Sequence, residues 1–423
     1  MVTWKRPLTF TAITIALLVL AASLLPNVLP RLRLLSQHLL PSAVIPLAVN
    51  RQHTITTATM ASVRDNQYLD HELHVALLAV QRAAILTKSV FHNHAKGTLN
   101  KSDASPVTIG DFGAQALIIS ALQHNFPDDE IVAEEEAKDL RGEKGQEVRE
   151  TVWNLVSQTR LENKEYEETL GGSVKSADAM LDLIDKGDSQ GGGKGRIWAI
   201  DPIDGTKGFL RGGQYAVCLA LMIDGDVKVG VLGCPNLPIS DSEPLTEGIG
   251  KDASDEEGKF GVVFAAKEGY GAVSCPLSKR GDLKMDEINM KPLENVADAT
   301  FCESVEAGHS SQGDAAAIAK KLGITKPSVR MDSQAKYGSI ARGAGDLYLR
   351  LPVRADYVEK IWDHAAGELI VREAGGMVTD SEGNRLNFKL GRTLKENKGV
   401  IAAPKNVHGK VIEVVKEVLG AKQ

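Results

Sequence analysis

An α+β chain of two lobes behind an apolar N-terminal extension is what the sequence predicts, on three observations. Helix-spaced apolar faces come first, at Leu73, Leu77, Val80 and Ala84 and again at Phe112, Ala116, Ile119 and Leu122. Apolar runs of strand length follow, and two of them, Ala216 to Ile223 and Val227 to Leu232, flank Asp224-Gly225, a strong signal for an antiparallel hairpin. After a stretch rich in Pro, Ser, Gly and acids from Pro235 to Gly258, strand-like runs (261–266, 300–303, 346–351) alternate with helical ones (312–322, 364–373). The boundaries implied are 1–67 for the extension, 68–235 for the first lobe and 236–423 for the second. A length of 423 residues, 43% hydrophobic and 25% charged, is enough to give each lobe a core.

The extension breaks the pattern of the rest. Lys5 and Arg6 precede a nearly unbroken apolar run from Leu8 to Leu25, which Pro26 and Pro30 close, and no acidic residue appears before Asp65. With Arg31, Arg33 and Arg51, this suits either a mitochondrial presequence or a membrane anchor, so membrane contact is expected only through residues 8–25. Met60 offers a second start that omits the extension. Four cysteines, Cys218, Cys234, Cys275 and Cys302, lie far apart and form no C-x-x-C. They read as buried free thiols in a reducing compartment, cytoplasmic or mitochondrial. A net charge of −6 excludes an electrostatic footprint for polynucleotides, so an anionic partner must be small and captured locally.

In chain order, Thr108 is the candidate N-cap of the second helix, which places Asp111 near a helix start, where an acid is favoured by the dipole. Ile131-Val132-Ala133 is a short strand running into Glu134-Glu135-Glu136. A polar insertion with one helical face follows, then a Gly-rich tract from Gly187 to Gly195. That tract is not a phosphate-binding P-loop, since Gly195 stands where Ser or Thr should follow Lys194, and it reads as a mobile loop beside the site.

The stretch with the most chemistry is Ile197-Trp198-Ala199-Ile200-Asp201-Pro202-Ile203-Asp204-Gly205-Thr206. Pro202, with no N–H for a sheet, is expected to end the strand just after Asp201 and so put Asp201 and Asp204 on a turn. Two carboxylates there suit a hard cation, and the N–H groups of Gly205 and Thr206, if they open a helix, suit an anion. Trp362-Asp363-His364 opens the last predicted helix of the second lobe, and Gly375-Gly376 closes it.

The segment from Trp198 to Arg211 resembles the first signature of the inositol monophosphatase and fructose-bisphosphatase superfamily. Trp362 to Gly367, through Glu373-Ala374-Gly375-Gly376, resembles the second. Within the superfamily the chain is most similar to the 3'(2'),5'-bisphosphate nucleotidases, from about Leu69 to the C-terminus. The fold this implies is a layered αβαβα sandwich of the sugar-phosphatase type. The resemblance implies two or three Mg²⁺ ions on Glu134, Asp201, the Ile203 carbonyl, Asp204 and Asp363, an all-oxygen set that suits Mg²⁺ and excludes zinc. Glu136 stands where the family pattern has Ser. Asp111 and Thr206 match the positions that orient and deprotonate water, and Gly205, Thr206, His309, Ser333, Lys336 and Arg350 match substrate contacts. Implied as well are inhibition by Li⁺ and a small-molecule substrate, adenosine 3',5'-bisphosphate or its 5'-phosphosulfate form. A monomer is expected. An inositol-phosphate phosphatase and a non-catalytic nucleotide- or metal-binding relative are the alternatives.

Overall fold

Leu77, Val80 and Ala84 are buried along one face of α1 (Asp70–Ala95), with Leu73 packed beside them. The computed structural model describes residues 68–95, 105–240, 258–306, 308, 310–354 and 356–420. The extension expected over 1–67 lies outside them, as does His309. By length and composition α1 would cross a membrane, but 72% of that span is buried against the rest of the fold, which marks it as a core helix.

Helix α2 (Pro106–Asn125) starts earlier than expected: Ser105 is its N-cap, accepting the Thr108 N–H at 3.4 Å. Pro106 takes the first helical position, where its missing N–H costs nothing, so Thr108 is not the cap. Asp111 therefore sits beyond the first turn and is buried, and the reading of it as a dipole-favoured surface charge does not apply.

Seven strands form the first sheet in sequential order: β1 (Glu130–Ala133), β2 (Arg196–Asp204), β3 (Ala216–Ile223), β4 (Asp226–Pro238), β5 (Phe260–Lys267), β6 (Ala272–Pro276) and β7 (Asp286–Ile288). Only β1 and β2 pair in parallel. The hairpin is where it was expected, Asp224 and Gly225 taking φ of 52° and 77° between β3 and β4. The boundary expected at residue 235 falls inside β4, and β5 to β7 complete the same sheet from beyond it. A register irregularity between Cys234 and Pro238 lets the strand carry Pro235.

Helices α3 (Gln146–Gln158) and α4 (Ala177–Asp185) pack beside α2, and α5 (Thr206–Arg211) follows β2. The second sheet has the order β11-β12-β10-β8-β9, from β8 (Phe301–Glu303), β9 (Val329–Arg330), β10 (Leu347–Arg350), β11 (Gly376–Thr379) and β12 (Val400–Pro404). Its helices are α6 (Gln312–Leu322), α7 (Ala335–Ala341), α8 (Ala365–Glu373) and α9 (Lys405–Gly420).

The period of two in a strand sorts these elements into layers. In β2, Trp198 and Ile200 join the core beneath α1 and α2, while Ile197 and Ala199 join a second core with Ala366 and Leu369 of α8. In β10, Tyr348 points into that same second core, while Leu347 and Leu349 pack with Ile318 of α6 and Val411 and Val415 of α9. The result is α1/α2, first sheet, α7/α8, second sheet, α6/α9, the αβαβα sandwich expected.

Candidate active site

Strand β2 does not stop at Pro202. It runs to Asp204, with Asp201 opposite Cys218 and Asp204 opposite Ala216, so three residue steps on β2 face two on β3. In a regular strand, residues three apart point to opposite faces; the extra residue of the bulge returns Asp204 to the face of Asp201. Pro202 sits inside the irregularity, where no ladder N–H is demanded of it, which is why it does not end the strand. Gly205 then turns the chain at φ 90° and Thr206 opens α5, exposed at its first position. A Cβ at Gly205 would lie 2.9 Å from that of Ser333, so only glycine lets this loop meet the second half of the chain.

Glu134 follows β1, whose register beside β2 (Ala133 opposite Ile200) brings it to Asp201. Glu135 is held by its backbone: its N–H donates to Gln115 Oε1 at 3.0 Å and its carbonyl accepts from Gln115 Nε2 at 2.8 Å. Asp111 comes from α2 on the other side and accepts the Ile203 N–H. Asp363 precedes α8; its helix is capped at His364, so Asp363 is not an N-cap.

These carboxyls repel one another. Loss of surrounding solvent first, then Asp363, Glu135 and Asp204, push Glu134 up to about 7. Burial and then Asp363 push Asp204 up to about 6, against the pull of Lys336, the Gln334 N–H and Arg350. Asp201 and Asp111 are raised well above the ordinary carboxylate range, burial leading in both. One buried oxygen of Asp201, Oδ1, has no hydrogen-bond partner. Carboxylates brought together from the end of β1, from β2, from α2 and from the turn before α8, with Asp111 and Asp201 buried and one Asp201 oxygen orphaned, fit a hard divalent cation, because an all-oxygen cluster of this kind gains its charge balance from the ion.

The inositol monophosphatase family profile matches residues 69–419. The chain belongs to the inositol monophosphatase family. A 3'(2'),5'-bisphosphate nucleotidase of Emericella nidulans is 62% identical over 350 residues, covering 83% of this chain and 99% of its own. A 3'(2'),5'-bisphosphate nucleotidase of Schizosaccharomyces pombe is 48% identical over 349 residues, 81% of this chain and 94% of its own. Among solved structures, CysQ from Bacteroides thetaiotaomicron, a bacterial member of the inositol monophosphatase family, aligns with a TM-score of 0.50 at 19% identity over 80% of this chain and 99% of that one. This last likeness bears on the fold alone.

Among the described residues, the group whose ligand atoms lie within 4.8 Å of one another is Glu359, Asp363 and His364, but this trio is already occupied. Arg350 Nη2 lies 2.8 Å from Glu359 and 3.6 Å from Asp363, while His364 bonds Glu359 at 3.1 Å through Nε2 and the Tyr337 hydroxyl at 2.9 Å through Nδ1. Although burial opposes it, Arg350 and His364 hold Glu359 down to about 2. Lys336 is buried, its ammonium donating to the Met331 carbonyl at 3.1 Å, and burial lowers it to about 8. Ser333, at φ 67°, accepts the Ala335 N–H at 3.1 Å. Lys336, Arg350 and Ser333 thus lie around the acid cluster, beside Asp204, Asp363 and Gly205 respectively.

Residues that sequence reasoning did not single out hold these parts together. Gln334 donates from its backbone N–H to Asp204 Oδ2 at 2.5 Å and from Nε2 to the Trp362 carbonyl at 2.8 Å, and its Oε1 accepts the Gly367 N–H at 3.0 Å. Arg392 donates to carbonyls of β1 and of the Gly-rich tract. That tract, expected as a mobile loop beside the site, lies against residues 389–391. All four cysteines are buried and free, as expected.

Proposed function

We propose that this chain is a Mg²⁺-dependent phosphomonoesterase that removes the 3'-phosphate of adenosine 3',5'-bisphosphate, leaving AMP and phosphate. Its 5'-phosphosulfate relative would be a second substrate, which ties the activity to sulfate assimilation. The observation that carries the reading is the convergence of Glu134, Asp201, Asp204 and Asp363 with a buried, unpartnered Asp201 oxygen. The nucleotidase names of relatives matching nearly their whole length support the nucleotide as substrate.

Glu134, Asp201, Asp204, Asp363 and the Ile203 carbonyl would hold two or three ions. Bound there, Mg²⁺ supplies charge neutralisation for the phosphoryl group and lowers the pKa of water. Asp111, with Thr206, orients the attacking water and takes its proton. Burial, then Glu135 and Glu134, raise the proton affinity of the Asp111 carboxylate, which suits a proton acceptor. Thr206 and the N–H groups at the start of α5 face the phosphate, and Lys336, Arg350, Ser333 and His309 receive the rest of the nucleotide. The enzyme acts as a monomer, and Li⁺ inhibits it at a magnesium position.

Phosphate release from adenosine 3',5'-bisphosphate and from inositol 1-phosphate, each in Mg²⁺ and in EDTA, tests this. The expected result is Mg²⁺-dependent release with the nucleotide preferred. A preference for inositol 1-phosphate would make the chain an inositol-phosphate phosphatase, and no release from either would make it a non-catalytic relative.

A further inference from the structure

Three legs fix the acid cluster. The first is the ladder between β1 and β2, which sets Glu134 against Asp201. The second is Gln334, which ties Asp204 to the turn carrying Asp363. The third leg, from the end of β1 to that turn, has no strand pairing among the described residues. Beside the packing of the Gly-rich tract on residues 389–391, its hydrogen bonds come from one side chain. Arg392 Nη2 donates to the Ala133 carbonyl, the peptide group that precedes Glu134, at 2.5 Å, and Nη1 donates to Ser189 and Gly187 carbonyls at 2.9 and 3.2 Å. The guanidinium lies 4.9 Å from the centre of the Trp362 ring, the residue before Asp363. Its backbone belongs to the other segment: the Arg392 carbonyl accepts the Ile361 N–H at 3.2 Å, and Leu394 donates to the Glu359 carbonyl at 2.9 Å.

We propose that Arg392 is a positioning residue that sets the distance from Glu134 to Asp363 and thereby the affinity of the site for its divalent cation. This rests on reading the acid cluster as a metal site. The role needs arginine. A planar fork can serve two carbonyl directions while its face covers an indole, whereas an ammonium offers a point charge and no face. Positioning also separates from plain electrostatics by its sign. The Arg392 charge lies close enough to Glu134 to interact with it and repels a cation bound there, so on charge alone its removal would tighten Mg²⁺ binding. Loss of positioning loosens it.

The test is a titration of EDTA-stripped full-length protein with MgCl₂, followed by thermal shift and by calorimetry, for wild type, Arg392→Lys and Arg392→Gln. Partners that orient ligands typically cost about 10- to 100-fold in metal affinity when removed. Half-saturation should therefore move to about tenfold higher Mg²⁺ in Arg392→Lys and further in Arg392→Gln. At saturating Mg²⁺, turnover of Arg392→Lys should return to within about threefold of wild type, the rescue expected of an affinity defect. A merely structural arginine would lower the melting temperature in EDTA and leave half-saturation where it is. That outcome, or tighter Mg²⁺ binding in Arg392→Gln, overturns the proposal. Should Arg392→Gln fail to fold, the Lys variant decides alone. A wild type with no response to Mg²⁺ would instead remove the metal reading, and this proposal with it.

Discussion

The backbone N–H of Gln334 donates to Asp204 Oδ2 at 2.5 Å while its side chain spans the Trp362 carbonyl and the Gly367 N–H, so one residue connects two halves of the acid cluster. Gln334→Leu keeps the backbone bond and strands two buried backbone groups. Each orphaned group costs about 1–3 kcal/mol, so urea denaturation in EDTA should show a loss in that range or somewhat above it. Turnover at saturating Mg²⁺ should fall as well, because the Asp363 turn is no longer held to Asp204. Wild-type stability in the variant would mean that water replaces the side chain without penalty.

Asp201→Asn should abolish phosphate release while leaving the melting temperature in EDTA unchanged or higher. The carboxylate is buried among Glu134, Asp204 and Asp363, and the neutral amide removes a repelling charge along with a ligand oxygen. Near wild-type turnover would take Asp201 out of the mechanism.

The same repulsion sets a pH dependence of stability in the metal-free protein. Glu134 and Asp204 are raised from 4.5 and 3.8 to about 7 and about 6, so the folded state holds protons that the unfolded chain has released. Their stabilising contribution is complete below the unfolded values and is lost as pH rises through about 6 and about 7. In EDTA the melting temperature should drop by several degrees between about pH 5 and pH 8, and saturating Mg²⁺ should flatten that drop, the cation standing in for the protons. A melting temperature in EDTA that rises over this range would contradict the clustering of these acids.

The strands, the hairpin and most of the acids were legible because their signals are local: period-two burial in β2 and β10, Asp224-Gly225, and acids at the ends of apolar runs. The reading failed where the answer depends on a partner strand or a distant residue. Pro202 reads as a strand terminator because the bulge that admits it exists only against β3. Thr108 reads as a cap from its own side chain alone, whereas Pro106 at the first helical position makes Ser105 the cap. Gln334, Glu359 and Arg392 carry no local signature. The Gln334–Asp204 bond spans 130 positions and the Arg392–Ala133 bond 259, and nothing in the composition of either segment announces them.

Deleting residues 1–59, so that the chain starts at Met60, should leave catalysis and the Mg²⁺ requirement intact. The removed segment carries none of the acids, and the first core helix begins at Asp70. Location should change instead, because Leu8 to Leu25 with its flanking Lys and Arg is the only part read as a targeting or anchoring element. Fractionation of cells expressing the tagged full chain and the Met60-start form checks this. Equal cytosolic recovery of both would show that the segment directs nothing.

On the proposed function, Lys336 should decide between substrates. The residue is 2% exposed, and its ammonium gives one hydrogen bond, to Met331, of the three it can donate. Burial lowers it to about 8 despite the attraction of Asp204 and Asp332, so a dianionic group arriving beside it would both use the spare donors and hold the proton on. Lys336→Met keeps the volume and removes the charge. A charge-assisted hydrogen bond of about 1.5–3 kcal/mol corresponds to a loss of about 10- to 150-fold in kcat/KM for adenosine 3',5'-bisphosphate. The lost countercharge of Asp204 would weaken both substrates alike, and so would any general damage to the fold or to metal loading; taking the ratio of the two activities cancels these. Wild type and Lys336→Met should therefore be compared on the bisphosphate and on inositol 1-phosphate at the same saturating Mg²⁺, where the nucleotide should lose at least several-fold more. Equal fractional losses would mean that Lys336 serves Asp204 alone, and the recognition of the second phosphate would have to be sought at Arg350 or His309.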